Sequence, residues 1–368
     1  MPTATAKPAT GEAATVKSVT DAELSRLLET LESAVDLDWE REKLSIWKRF
    51  HAQQSSPGGF RASASPRGSR PAPAWPRIRV NDALRDERLM LLHQLAAVNF
   101  NLNARNLRIP NIRCNYGTGI LSSLFGAELF YMPEELDTLP TTRALAGDDP
   151  IAALLAAGVP ELSAGWGQRV FTTAEYFKEA LAPYPKLSEA VWIYHPDLQG
   201  PVDIAELLLG EHLLLGFYDR PDEVRAVLAL ITDAYISFMR RWFEAVPMRD
   251  DRSCSAHWER LIPGQIMLRG DSLVNLSAEI YEEFVRPCDE RILAEFGGGA
   301  MHYCGKADQC LERMTSGPLM RLVNSSQPDL NDVDKLLEFT VGRGRILDVP
   351  ARHEALFAGR ADRGVLLS

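Results

Sequence analysis

One short segment of the chain holds the residue types best suited to metal or thiol chemistry. The stretch AMHYCGKADQC, residues 300–310, contains His302, Cys304 and Cys310 just after three consecutive glycines. Imidazole and thiolate groups are both good ligands for zinc. If His302 and Cys304 lie on a strand, their side chains point to the same face, because side chains alternate along a strand. The segment is therefore a metal site, a reactive thiol or an ordinary buried strand.

Short apolar runs that alternate with helical segments must position this pair. Six runs predict strands that end in polar or small residues: PNIRCNYG, AVWIYHPDLQGP, GQIMLRGDS, AMHYCG, MRLVNSSQP and GRILDVP. Helices are predicted at 82–103, 202–217 and 221–245, with Ser277 and Asn331 as N-caps of two further helices. Repeated strand–helix units favour a parallel sheet. We expect an α/β fold, a (β/α)8 TIM barrel, with a doubly wound open sheet as the alternative.

The first 80 residues differ in composition from the rest. Residues 1–19, rich in Ala, Thr and Pro, predict a disordered tail. Residues 20–80 predict a helical extension, with one helix from Thr20 to Phe50 and a Pro/Gly/Ser/Arg-rich surface loop at 53–76. The barrel is expected to occupy residues 81–368.

Charge and cysteine content limit the classes of partner. The 368-residue chain has a net charge of −10 without a basic stripe, which disfavours a nucleic-acid partner. Five widely spaced cysteines indicate free thiols in a reducing compartment. The longest apolar runs are interrupted by charges, so a membrane partner is not expected either. We expect a cytoplasmic protein that acts on a small molecule.

Several longer motifs, taken together, resemble a known family. The stretches HPDLQGPVDIAELLLG, YDRPDEVRAVLALITDAYISFMRRW, LRGDSLVNLSAEIYEEFVRPCDERILAEFG and HYCGK resemble the uroporphyrinogen decarboxylase superfamily over roughly residues 81–350. The resemblance implies a TIM barrel that often forms a homodimer. It also implies one of two chemistries: decarboxylation of porphyrinogen acetate groups without a cofactor, or methyl transfer between corrinoid proteins and thiols on a zinc ion.

The resemblance implies that His302 and Cys304 bind zinc. The methyltransferase branch carries H-x-C at the end of a barrel strand, which His302 and Cys304 match, and a second cysteine far downstream. No cysteine follows Cys310 here. A third ligand must then come from another strand end, and the candidates are Cys114, Asp271, His257 and Asp348. The decarboxylase branch carries the motif RQAGRY, which is absent from the equivalent stretch NARNLRIPNIRCNYGTG.

The other candidate site residues also lie at predicted strand ends. The expected catalytic residues are Asp271, His195 and Tyr116, and the expected substrate-binding residues are Arg113, Arg269, Tyr194 and Asn115. Structural alternatives stay open: Asp271 can cap the turn that follows it, and His195 can belong to a turn held by Asp197. The NYGTG stretch is either an anion cradle or a tight turn that leads into a helix.

These observations predict an enzyme that transfers a methyl or related alkyl group to or from a thiol or corrinoid. Zinc is the expected cofactor, and a separate corrinoid protein is an expected partner. Two alternatives remain: a metal-free decarboxylase of a carboxylated substrate with Asp271 as its acidic residue, and a non-catalytic ligand-binding member. Metal content distinguishes transfer chemistry from both alternatives.

Overall fold

The computed structural model describes residues 15–56 and 58–368. Its α-helices are α1 Asp21–Ala34, α2 Leu37–Gln53, α3 Val80–Ala83, α4 Glu87–Ala104, α5 Ile120–Leu124, α6 Pro150–Ala157, α7 Gly167–Leu181, α8 Pro185–Ala190, α9 Pro201–Leu209, α10 Glu211–Asp219, α11 Pro221–Ala245, α12 Ala278–Ile280, α13 Arg286–Glu295, α14 Leu311–Met314 and α15 Val333–Phe339. Its strands are β1 Phe60–Arg61, β2 Asn111–Ile112, β3 Leu129–Phe130, β4 Thr141–Thr142, β5 Trp192–Ile193, β6 Cys254–His257, β7 Arg260–Pro263, β8 Ile266–Arg269, β9 Gly299–Tyr303, β10 Met320–Ser325, β11 Ile346–Val349 and β12 Val365–Leu367.

The main sheet is parallel and has six strands in the order β1-β12-β11-β10-β9-β8. A separate parallel pair joins β2 to β5, and two antiparallel pairs join β3 to β4 and β6 to β7. The expected α/β class with a parallel sheet is therefore confirmed. These pairings do not by themselves close the eight parallel strands into a ring, so the barrel stays a prediction.

Side chains on one face of the main sheet form two successive rows. In the first row each residue is the ladder partner of the next, and all are buried and apolar: Met267, Ala300, Leu322 and Ile346. Two positions further along each strand lies a second row, which is polar and also buried: Arg269, His302, Asn324 and Asp348. Both rows face the same way because the side-chain period of a strand is two. The polar row therefore lies next to the apolar row on the same face of the sheet, nearer the carboxyl ends of the strands.

The β6–β7 hairpin packs against the apolar row. Its residues Cys254, Ala256, Leu261 and Ile262 belong to the same buried cluster as that row, together with Trp47 and Phe50 of α2. The hairpin turn consists of Trp258 and Glu259, with φ values of 46° and 62°. Left-handed backbone costs roughly 1–2 kcal/mol for a residue other than glycine. The hairpin therefore keeps a strained tip.

The structure refines two expectations for the N-terminal region. The predicted loop at 53–76 contains strand β1, which pairs with β12 at the edge of the main sheet. The single predicted helix is two helices, because Asp36 caps α2 by accepting a hydrogen bond from the Trp39 N–H at 3.0 Å. Residues 1–14 of the predicted tail lie outside the described residues. Val16 in the tail donates its N–H to the Arg77 carbonyl, so the end of the tail is ordered.

The C-terminal elements follow the sequence pattern more closely. Strands lie within all five apolar runs from AVWIYH to GRILDVP, and helix α11 spans the predicted 221–245. Ser277 caps α12 as expected, but the N-cap of α15 is Asp332 and not Asn331. The Asn331 side chain instead connects two loops, by accepting from the Ala307 N–H and donating to the carbonyls of Gly305 and Gln327.

Candidate metal centre

Three ligand-type side chains converge where strands β8 and β9 end. The donor atoms of Asp271, His302 and Cys304 all lie within 4.8 Å of one another. Cys304 Sγ is 3.5 Å from His302 Nε2, and that nitrogen is 3.6 Å from Asp271 Oδ1. This triad contains one nitrogen, one oxygen and one sulfur donor, a combination that zinc accepts.

Hydrogen bonds place a proton on His302 Nδ1 and leave Nε2 facing the other two triad residues. Asn324 donates its Nδ2–H groups to the Asp348 carboxylate at 2.8 Å and to the Asp348 carbonyl at 3.3 Å. Its Oδ1 is therefore the atom that faces His302 Nδ1, at 2.5 Å. Because Oδ1 only accepts, Nδ1 carries the proton and the Nε2 lone pair points towards Cys304 and Asp271. Such an outer partner is typical of metal-binding histidines.

Hydrogen bonds to neighbouring side chains also fix the positions of Asp271 and Cys304. The Asp271 and Ser272 N–H groups donate to the Asp203 carboxylate at 3.0 and 2.8 Å, which fixes the turn after β8. The Cys304 N–H donates to Asp271 Oδ1 at 3.1 Å, and the Ser326 hydroxyl donates to Cys304 Sγ at 3.2 Å. The Asp271 side chain keeps 40% of its surface exposed, whereas His302 keeps 11%. The triad is therefore open to solvent on the Asp271 side.

Burial has opposite consequences for the two ligand forms: it works against the Cys304 thiolate and favours the neutral His302 imidazole. Burial raises the pKa of the Cys304 thiol to about 11, and the nearby Asp271 carboxylate adds to the rise. Burial also lowers the pKa of His302, against the opposing effect of Asp271. Burial, and then Asp271, raise the pKa of Asp203. A divalent cation would reverse the penalty on the thiolate.

Two of the donor separations in the triad are compatible with a tetrahedral ion. Zinc bonds of about 2.0–2.3 Å in tetrahedral geometry separate neighbouring ligand atoms by roughly 3.3–3.7 Å. The two separations from His302 Nε2, 3.5 Å to Cys304 and 3.6 Å to Asp271, lie inside that interval. Three protein ligands and one open side match the arrangement of catalytic, rather than structural, zinc sites.

A buried ion cluster lies beside the triad. Asp197 accepts from Arg113 Nη1 at 3.3 Å and lies 3.0 Å from Arg269 Nε. Burial alone would raise the pKa of Asp197, but these two guanidinium groups lower it to about 2. Arg269 also donates to the Met267 carbonyl and contacts His257 Nε2 at 3.0 Å. The two arginines predicted to bind substrate are thus paired with one internal carboxylate.

The other predicted site residues occupy different surroundings. His195 uses both ring nitrogens, because Nε2 accepts the Met267 N–H at 3.1 Å and Nδ1 donates to the Pro196 carbonyl at 2.8 Å. The Tyr194 ring lies 4.6 Å from that of His257, beside the ion cluster. The Tyr116 hydroxyl bonds to Thr173 at 2.7 Å.

The predicted convergence of strand ends is only partial. Cys114 is buried in the apolar core outside the triad, where burial, with a smaller effect from Glu87, raises the pKa of its thiol well above the usual value. Its neighbour Asn115 is half-buried. Of the four candidates for the third ligand, Asp271 is the one that the structure brings into the triad, and Asp348 supports the triad through Asn324.

Two residues near the triad had no part in the sequence prediction. Asn324 sits between His302 and Asp348, and Trp258 places its ring centroid 4.8 Å from that of His302. A signal for Asn324 exists in the sequence: in MRLVNS a polar residue occupies a position that faces the same side as Leu322. Trp258 carries no such signal, because the sequence around it has neither helical nor strand periodicity and is typical of a connecting segment.

The comparisons with known proteins bear on the fold. The chain shares its fold with a methyltransferase from Methanosarcina mazei. The TM-score is 0.57 with 17% sequence identity, and the match covers 93% of this chain and 92% of that chain. No family model and no curated protein sequence matches the chain. Among the described residues, no helix combines the length and apolar character needed to cross a membrane.

Proposed function

We propose that the protein is a zinc-dependent enzyme that transfers a methyl or related alkyl group between a small thiol and a second substrate, such as a corrinoid. The observation that carries the proposal is the triad of Asp271, His302 and Cys304, with donor separations of 3.5 and 3.6 Å from His302 Nε2. The shared fold with a methyltransferase supports the same reaction class.

We also propose that the eight parallel strands form a (β/α)8 barrel with the triad at the carboxyl ends of its strands. The pairing of β1 with β12 joins the first parallel strand to the last. The Leu107 N–H donates to the Ala64 carbonyl, which links the approach to β2 with the end of β1. His195, just after β5, accepts from the Met267 N–H on β8. The carboxyl ends of barrel strands are where such enzymes place their chemistry.

Each triad residue has a distinct role in this proposal. When bound, zinc supplies Lewis acidity that keeps a substrate thiol as its thiolate at neutral pH. His302 presents a neutral Nε2 held by Asn324, and Cys304 presents its sulfur beside the Ser326 hydroxyl. Asp271 borders the open side, where the thiol enters.

The transfer itself balances without an oxidant or reductant. The thiol releases its proton to solvent, and its sulfur then attacks the methyl carbon of the donor. A sulfur–carbon bond forms while the bond from the donor to the methyl group breaks, and that electron pair stays with the donor. When the donor is a methylcorrinoid, a separate corrinoid protein would present it to the open side of the triad.

Metal analysis of two cysteine variants tests the proposal. We expect about one zinc per chain in the wild type and a loss of both metal and methyl transfer in Cys304→Ala. The matched control is Cys310→Ala, because Cys310 is buried outside the triad and burial raises the pKa of its thiol to about 12. That variant should keep its metal and lose only about 1 kcal/mol of stability. Metal retained by Cys304→Ala but lost by Cys310→Ala would contradict the proposal.

A further inference from the structure

The tip of the β6–β7 hairpin reaches the triad from within the fold. Strands β6 and β7 contribute to the buried cluster that lies against the apolar row of the sheet. The register pairs His257 with Arg260, so Trp258 and Glu259 form a two-residue tip. The tip lies level with the polar row, because the Trp258 ring contacts both His302 and Arg269. The hairpin thus brings an indole to the side of a proposed metal ligand.

The geometry of the indole restricts the imidazole. The two rings meet edge to face, with centroids 4.8 Å apart and planes at 78°. Asn324 binds the imidazole through Nδ1 at 2.5 Å, which fixes the tautomer but leaves rotation about that hydrogen bond. An aromatic edge packed against the ring opposes this rotation. The hydrogen bond and the ring contact together determine where Nε2 points.

The indole is itself held in place. The Arg269 guanidinium carbon lies 4.6 Å from the Trp258 ring centroid, within cation–π range. Arg269 cannot move freely, because it bonds to the Met267 carbonyl and is paired with Asp197 at 3.0 Å. A rigid chain of contacts therefore runs from Asp197 through Arg269 and Trp258 to His302.

The backbone of the tip points to the same conclusion. Trp258 and Glu259 both adopt the left-handed conformation, which most L residues avoid. External contacts hold the tip there: the Ile109 N–H donates to the Glu259 carbonyl at 2.8 Å, and Arg108 pairs with the Glu259 carboxylate at 2.5 Å. Strain of this kind persists where surrounding structure over-determines it, and it clusters at functional sites.

We propose that Trp258 is a positioning residue for the metal site, which sets the orientation of the His302 imidazole through ring contact. This inference rests on the proposed function, since it requires that the triad of Asp271, His302 and Cys304 binds a divalent cation. Trp258 does not itself supply a ligand atom. Its loss should therefore weaken metal binding without removing any ligand.

The test measures cobalt and zinc affinity of the full chain and its variants. Trp258→Asn removes the indole and introduces a residue that tolerates left-handed backbone. Dissociation constants for zinc, from competition with a chromophoric chelator, should rise at least roughly tenfold, the effect typical of losing an outer partner of a metal ligand. Cobalt should still show thiolate charge-transfer absorption, because Cys304 remains. The control is Tyr218→Asn, which makes the same aromatic-to-asparagine change at a side chain that is 76% exposed on α10 and should change affinity by less than about twofold.

The outcomes separate the inference from the proposed function. Wild-type protein that binds neither cobalt nor zinc overturns both. Wild-type protein that binds metal, with Trp258→Asn binding equally well, overturns the positioning role alone. A purely structural role would lower the thermal midpoint of the metal-free variant and leave affinity intact, which also counts against the inference. If Trp258→Asn does not fold, Trp258→Leu keeps an apolar side chain beside Arg269 and must show the same loss of affinity.

Discussion

Replacement of Asn324 by leucine tests whether the buried polar row supports the metal site. Asn324 is 3% exposed and bridges His302 Nδ1, at 2.5 Å, to the Asp348 carboxylate, at 2.8 Å. Leucine has a similar size but cannot hydrogen-bond. The Nδ1–H group of His302 and the carboxylate of Asp348 then each lose a buried partner, which costs about 1–3 kcal/mol per group. We expect the free energy of unfolding of the metal-free protein to fall by about 2–6 kcal/mol in urea titrations.

The same substitution should weaken zinc binding. Loss of the partner of a metal-binding histidine typically lowers affinity by roughly 10- to 100-fold. The control is Ser325→Ala, the next position on β10, whose side chain points to the opposite face of the sheet. It should leave zinc affinity unchanged. Zinc affinity in Asn324→Leu equal to that of the wild type, measured on folded protein, would refute the argument that Asn324 fixes the ligand form of His302.

Three further predictions concern pH, the extent of the fold and assembly. Burial, with Arg269, lowers the pKa of His195 to about 3, whereas the same side chain in the unfolded protein takes up a proton near pH 6.5, so the folded state loses stability as pH drops below 6.5. Between pH 7 and pH 5, the free energy of unfolding of His195→Gln should fall by about 2 kcal/mol less than that of the wild type. Equal falls in urea titrations would contradict this. A chain that starts at residue 81 lacks β1 and the buried rings of Trp47 and Phe50; it should show no cooperative thermal transition by circular dichroism, and a wild-type-like transition would show that the first 80 residues are dispensable. We expect a homodimer from the family resemblance, and a monomer mass in light scattering at micromolar concentration would exclude it.

The sequence predicted best those strands whose pattern is local. The runs around His302 and Leu322 are short and apolar and end in polar or small residues, and this local pattern predicts strands β9 and β10. Strand β1 was missed because two residues in a Pro/Gly/Ser-rich segment carry no periodicity. Its pairing with Val365–Leu367 comes from tertiary context that lies about 300 residues away in the chain.

The candidate site was predictable in the same uneven way. The spacing of His302 and Cys304 predicted that their side chains lie together, and Cys304 Sγ is 3.5 Å from His302 Nε2, although Cys304 directly follows the last residue of β9. Whether Asp271 or Cys114 is the third member depends on which strand ends are neighbours in the sheet. The sequence does not determine the strand order, so it left both candidates open. The Trp258 contact was beyond reach, because a hairpin inserted before β8 has a Trp-Glu tip instead of the usual Asn-Gly signal.

The pairing of β1 with β12 also has a consequence for biosynthesis. The chain is made from its N-terminus, so Phe60–Arg61 waits while about 300 further residues are added before Val365–Leu367 can pair with it. Contacts so distant in sequence form slowly, and exposed strand edges invite association with other chains during the delay. The Phe60 ring lies 4.5 Å from that of Phe50 and 4.7 Å from that of Trp47. Because these three rings lie within 14 residues of one another in the chain, we expect their contact to form early and to cover the apolar side of Phe60 before Val365–Leu367 is synthesised.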